Sequence, residues 1–227
     1  MSELSTATAT PVPTLKFYLR EGLLHAGERT SPNQAQYDES HINRVRLVRA
    51  LIDVGGLPVA RAAEVVSAMQ RDDLPVHSVL GIAQRAVTER LAPSSAPEEE
   101  SPSGTGRRLI DELCARRGWR VHRENPGLAM AARVLDAYVA LGQDALLEAL
   151  DAYADAAELV ARADLAAVAA AGERSRGDRT EMVDVVIVGT VLGDALAAGL
   201  RRAAQEHASL ERFPAPDLDH DRQDTPC

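Results

Sequence analysis

Residues 92–106, Ala-Pro-Ser-Ser-Ala-Pro-Glu-Glu-Glu-Ser-Pro-Ser-Gly-Thr-Gly, constrain this chain more than any other stretch. Proline, serine, glycine and acid at this density cannot bury enough apolar surface to offset the entropy of ordering, so the segment reads as a flexible linker. It divides 227 residues into two compact units. Hydrophobic residues make up 45% of the chain, much of that alanine, and aromatic residues only 3%. With 12 prolines and no useful run of alternating β-branched residues, this composition points to packed helices rather than a sandwich or barrel.

The formal charge of -9 conceals an asymmetry. Residues 1–92 carry ten Lys/Arg and ten Asp/Glu, whereas residues 93–227 carry fifteen and twenty-four. The second half would be repelled by nucleic acid, and the first would not. Cys114 and Cys227 lie far apart and give no disulfide framework, which suggests a reducing, cytoplasmic interior. No signal peptide is expected, and the most apolar window, residues 185–193, is too short to span a bilayer and is flanked by Asp184 and Asp194.

Five helical stretches are expected before residue 92. Ser2 can cap a short first turn, which the segment 8–11 breaks at Pro11. A second helix follows from Val12 and Pro13 to a stop at Gly22, with Leu15, Tyr18 or Leu19, and Gly22 on the core side. Thr14, Lys16, Phe17 and Arg20 form a polar, partly aromatic and cationic face. Further helices are expected over 38–54, 58–70 and 75–91, with Gly55-Gly56 as a break.

Thr14-Leu15-Lys16-Phe17-Tyr18 followed by Arg20-Glu21-Gly22-Leu23-Leu24 resembles the hallmark of the MerR family of bacterial regulators, a helix reading Thr-Leu-Arg-Tyr-Tyr and then Glu/Asp-x-Gly-Leu-Leu. The likeness extends over about the first 70 residues, through a short wing from Arg29 to Tyr37 and the two supporting helices. It implies a mainly α fold: a winged helix-turn-helix over 1–72, a dimerisation helix over 73–91, the linker, a helical effector or oligomerisation bundle over 107–212, and a disordered tail over 213–227. It also implies that the second helix enters the major groove of double-stranded DNA while the wing rests on the backbone. Thr14, Lys16, Phe17, Tyr18, Arg20, Arg29, Asn33, Gln36, Tyr37 and Arg44 are then the candidate DNA contacts. Arg46 and Arg49 continue the basic ridge begun by Arg44.

Two departures from the family pattern bear on the grip. Asn33-Gln34-Ala35 stands where the family has Gly-Tyr-Arg, which removes a phosphate clamp, and Pro13 replaces a basic residue.

A single head makes few base contacts, so a homodimer is expected. Val76, Val79, Leu80, Ala83, Val87 and Leu91 form an apolar seam at intervals of three or four, which would pair with its copy or pack on the chain's own domain. The resemblance implies distortion of promoter DNA that changes how RNA polymerase engages it.

The second half should hold helices over 107–117, 128–141, 144–171 and 181–212, with Asp178 and Glu181 at capping-box spacing and a loop over 172–179. By analogy of architecture it is a ligand-sensing domain, with Trp119, His122, Met130, Tyr138 and Tyr153 as candidate pocket walls for a small-molecule effector. No metal site is expected, because His25, His41, His77, His207 and His220 form no cluster in sequence and Cys114 has no partner at ligand spacing. No cofactor and no catalytic motif are read. The competing reading is a DNA-binding assembly protein whose second half serves only oligomerisation or contact with a protein partner.

Overall fold

The computed structural model describes residues 1–31, 34–91, 104–176 and 178–213. Helix α1 (Ser2–Thr8) turns tightly into α2 (Val12–Arg20), and a hairpin of β1 (Glu28–Ser31) and β2 (Gln34–Gln36) follows. Helix α3 (Glu39–Arg49) continues through a π-helical turn, Ala50–Val54, before α4 (Val59–Met69) and α5 (Val76–Leu91). The second half comprises α6 (Thr105–Arg117), α7 (Pro126–Ala140), α8 (Asp144–Glu148), α9 (Leu150–Arg174) and α10 (Arg179–Arg212). The fold is mainly helical with a small wing, as the composition predicts. Most of the expected linker, 92–103, and the tail from 214 onward lie outside the described residues; α6 already begins at Thr105.

Local chemistry accounts for the boundaries. The α1–α2 turn is tied by Ser5 Oγ donating to Thr10 O at 2.7 Å and Thr8 Oγ donating to Leu4 O at 2.7 Å, while Ala9 adopts a left-handed φ of 48°. Met1, not Ser2, precedes the first helical residue, and no side chain caps α1. Asp38 caps α3 through Ser40 N–H and His41 N–H. Asp178 caps α10 by accepting from Thr180 N–H, and α9 runs on to Arg174, so the expected 172–179 loop is shorter.

The main core is built from both halves. Leu15, Tyr18, Leu23, Leu24, Val45, Val48, Leu51, Leu57, Val65 and Val66 from the head are joined by Val183, Ile187 and Val191 of α10. Two arrangements hold α10 there. Arg179 donates to Leu74 O through Nε at 3.0 Å and Nη2 at 2.6 Å, which pins its first turn to the α4–α5 loop. Gly55 sits so close to Val191 and Leu51 O that any side chain there would collide with both. The second half is therefore not packed as a separate unit. A smaller cluster of Ile110, Leu113, Ala132, Leu135 and Ala154 holds α6, α7 and the start of α9 together.

One reading from the apolar window needs correcting. Helix α10 as a whole is long and apolar enough to cross a membrane by length and composition, which the short stretch 185–193 does not show. Its first half is instead taken up by the head's core.

Candidate nucleic-acid interface

Pro11 and Pro13 set the entry to α2, where missing N–H groups do no harm, and Gly22, at a φ of 72°, ends the turn that follows. Leu15 and Tyr18 face inward, leaving Lys16 and Arg20 exposed on one stripe with Thr14 and Phe17 half-buried beside them. The Arg20 guanidinium lies 5.2 Å from the Phe17 ring centroid and pairs with Glu21 at 3.1 Å, at an exposed site where such a pair is easily exchanged for phosphate. Tyr18, expected among the DNA contacts, is only 6% exposed and belongs to the core; burial first, and then the Asp53 carboxylate, push its hydroxyl above the ordinary tyrosine range.

The wing is a short antiparallel ladder pairing Glu28 with Gln36 and Arg29 with Ala35, with an irregularity before Ser31 meets Gln34. Gln36 is exposed, and Tyr37 is half-buried with its ring edge-on to His41 at 5.1 Å. Asn33, expected at the wing tip, lies outside the described residues. Gly27 admits no side chain, since a Cβ would stand 2.9 Å from the Tyr37 ring.

Of the expected basic ridge, Arg44 is turned inward, while Arg46 and Arg49 are exposed. Arg44 is half-buried against α10, with Nη1 3.8 Å from Met69 Sδ, and lines a cavity of about 530 Å³ shared with Asp184 and Leu192. Arg49 holds Asp53 at 3.1 Å and donates to Thr8 O at 3.3 Å, and Arg46 reaches Glu39 at 4.0 Å. On α2, Lys16 and Arg20 are the exposed cations.

The model of the MerR HTH family regulatory proteins matches residues 1–69. A crystal structure of SCO5550, a candidate transcriptional regulator from Streptomyces coelicolor A3(2), superposes with a TM-score of 0.67 at 31% identity, covering 96% of this chain and 99% of that one. The chain belongs to the MerR family. Two nodulation proteins NolA, from Bradyrhizobium elkanii and Bradyrhizobium sp. (strain NC92), are 42% and 44% identical over 55 residues, which is 24% of this chain. That match spans 25% and 23% of the NolA sequences, about a quarter of their length.

In this MerR protein the α5 seam has a partner within the same chain. Val79, Ala83 and Val87 are buried in the main core, and Val76 and Leu80 are half-buried. Leu91 closes the helix. The apolar face is real, and α4 and α10 both pack against α5. Among the described residues, exposed apolar side chains include Leu196, Leu200 and Leu210 on the outer half of α10, each more than 60% exposed, and Leu159 and Leu165 on α9.

The five residues expected to wall an effector pocket do not converge. Trp119 is half-buried, donates Nε1–H to Glu158 at 2.8 Å, and lines a cavity of about 290 Å³ with Cys114, Val121 and Leu128. His122 is exposed, Met130 and Tyr138 are half-buried on α7, and Tyr153 is 48% exposed beneath Arg201.

A group that the sequence reading dispersed does converge. His25, Asp38 and His41 bring one nitrogen or oxygen each to within 4.8 Å of one another. His41 is buried at the N3 position of α3, while His25 comes from the chain entering the wing and Asp38 from the chain leaving it. The missed signal was Asp38-x-x-His41, a capping box with histidine in place of the usual Glu or Gln.

Proposed function

We propose that this MerR-family transcriptional regulator acts as a homodimer on a two-fold promoter operator, one head to each half-site. Lys16 and Arg20 address the major groove, with Thr14 and Phe17 beside them, and the wing residues Arg29, Asn33, Gln36 and Tyr37 run along the backbone. The observation that carries this is the exposed polar and cationic stripe of α2: Lys16 and Arg20 stand exposed on it, whereas Arg44 is half-buried against α10. Promoter DNA and RNA polymerase as working partners place the protein in the cytoplasm.

Dimerisation is assigned to the outer half of α10. Leu196, Leu200, Ala203, His207 and Leu210 follow spacings of four, three, four and three, a coiled-coil seam on exposed helix. Control by a small molecule at the Trp119 cavity is the finer form of this reading. The exposed seam equally favours a second half devoted to assembly alone, and thermal melting against a broad ligand panel separates the two, since any ligand of the native state must raise the melting temperature.

Arg20→Ala tests the reading head. It should lower operator affinity and reduce the slope of log affinity against log salt by about one, with the dimer intact. Unchanged affinity and slope would remove α2 from the interface.

A further inference from the structure

We propose that His25, Asp38 and His41 form a binding site for a divalent transition-metal ion of the zinc class at the base of the wing. Each supplies one donor, and the donors fall within 4.8 Å of one another. They are already linked in one network. Asp38 Oδ1 lies 2.7 Å from His41 Nδ1 and accepts from Ser40 Oγ at 2.6 Å, and Ser40 Oγ is in turn 3.1 Å from His25 Nε2. The two imidazole rings lie 3.9 Å apart between centroids.

The chemistry of the donors selects the ion. Two imidazoles and one carboxylate match the three-ligand set of an open tetrahedral zinc site, whereas calcium and magnesium favour shells made wholly of oxygen, and copper(I) favours sulfur. With metal–nitrogen and metal–oxygen bonds of about 2.0–2.2 Å, tetrahedral donors sit about 3.3 Å apart. The 2.7 Å Asp38–His41 contact therefore opens slightly as an ion takes the place of the shared proton.

His41 Nδ1 lies 2.7 Å from Asp38 Oδ1 and 3.1 Å from the Asp38 N–H. Ligation through Nδ1 uses the lone pair that otherwise accepts from the Asp38 N–H, so loading exchanges that one capping hydrogen bond for a metal–nitrogen bond. Because His25 precedes β1 while Asp38 and His41 follow β2, the ion would tie together the two ends of the wing.

The test is zinc(II) titration of the chelator-treated full chain, followed by thermal melting and calorimetry, with cobalt(II) as a visible-absorption probe of tetrahedral nitrogen and oxygen ligation. Zinc should raise the melting temperature of the wild type. His25→Ala, whose metal-free melting reports that it still folds, should lose that rise and bind at least about tenfold more weakly. His25→Gln provides a second variant should alanine impair folding. Absence of a zinc-dependent rise in the wild type, an equal rise in the His25 variants, or a rise abolished instead by Cys114→Ser would each overturn the proposal.

Discussion

A cation's role in this protein is decided by what lies across from it in space. Lys16 and Arg20 could be read as groove contacts because α2 carries its own pattern of inward leucine and tyrosine. Arg44 could not be told from them, since Asp184, which faces it across a shared cavity, is distant in sequence. Tyr18 shows the same limit: helical spacing placed it on a boundary, and only packing decided for the core. Ala9 offers a sharper residue-scale test. A left-handed φ of 48° in a residue with a Cβ costs about 1–2 kcal/mol, partly offset by the greater unfolded-state freedom of glycine. Ala9→Gly should therefore stabilise the chain by about 0.5–1 kcal/mol, seen as a rise of about 1–4 °C in thermal melting. A fall would mean that the α1–α2 turn relaxes in solution.

Helices were legible where the apolar period was long, and their partners were not. The seam of α5 was found because a period of three and four marks a buried face, but a period does not name what covers it. Here α10 arrives from more than ninety residues downstream and lays Val183, Ile187 and Val191 into the main core, where Val79, Ala83 and Val87 are also buried. Self-pairing of α5 is what the family resemblance implies, and the alternative beside it, packing on the chain's own domain, accounts for the burial of Val79, Ala83 and Val87. The proposed seam on the outer half of α10 is tested at the same scale. Each buried leucine contributes about 1.5–3 kcal/mol, and a two-fold interface counts it twice. Leu200→Asp should thus weaken the dimer at least about a hundredfold, turning it monomeric at micromolar concentration in sedimentation. A dimer that survives would shift the interface away from α10.

At the scale of the whole molecule, α6 and α9 are linked by a network of ion pairs beside the small apolar cluster. Arg117 reaches Asp155 at 2.6 Å, Asp151 at 3.0 Å and Glu158 at 3.4 Å. Hydrogen bonding to Arg117 holds the Asp151 carboxyl below its usual range, and the Trp119 indole, followed by Arg117, does the same for Glu158. Carboxyls depressed in the folded state add stability above their ordinary range, near pH 4, and lose it as pH falls through the depressed values. Melting temperature should accordingly hold steady from pH 7 to about 5 and drop below 4. Arg117→Met should melt lower at pH 7, where three carboxylates are left facing one another, and show a shallower acid decline; a parallel decline in the variant would assign the acid sensitivity to other groups.

The contribution of α10 to the head also has a consequence in time. A ribosome adding about 5–20 residues per second finishes α5 roughly 5–20 s before Val191 is made, because about a hundred residues separate them. During that interval the nascent head shows Val79, Ala83 and Val87 to water, a patch for a chaperone to shield. A fragment cut after residue 91 would leave the face that α10 covers open to water, so it should melt lower than the full chain and aggregate more readily.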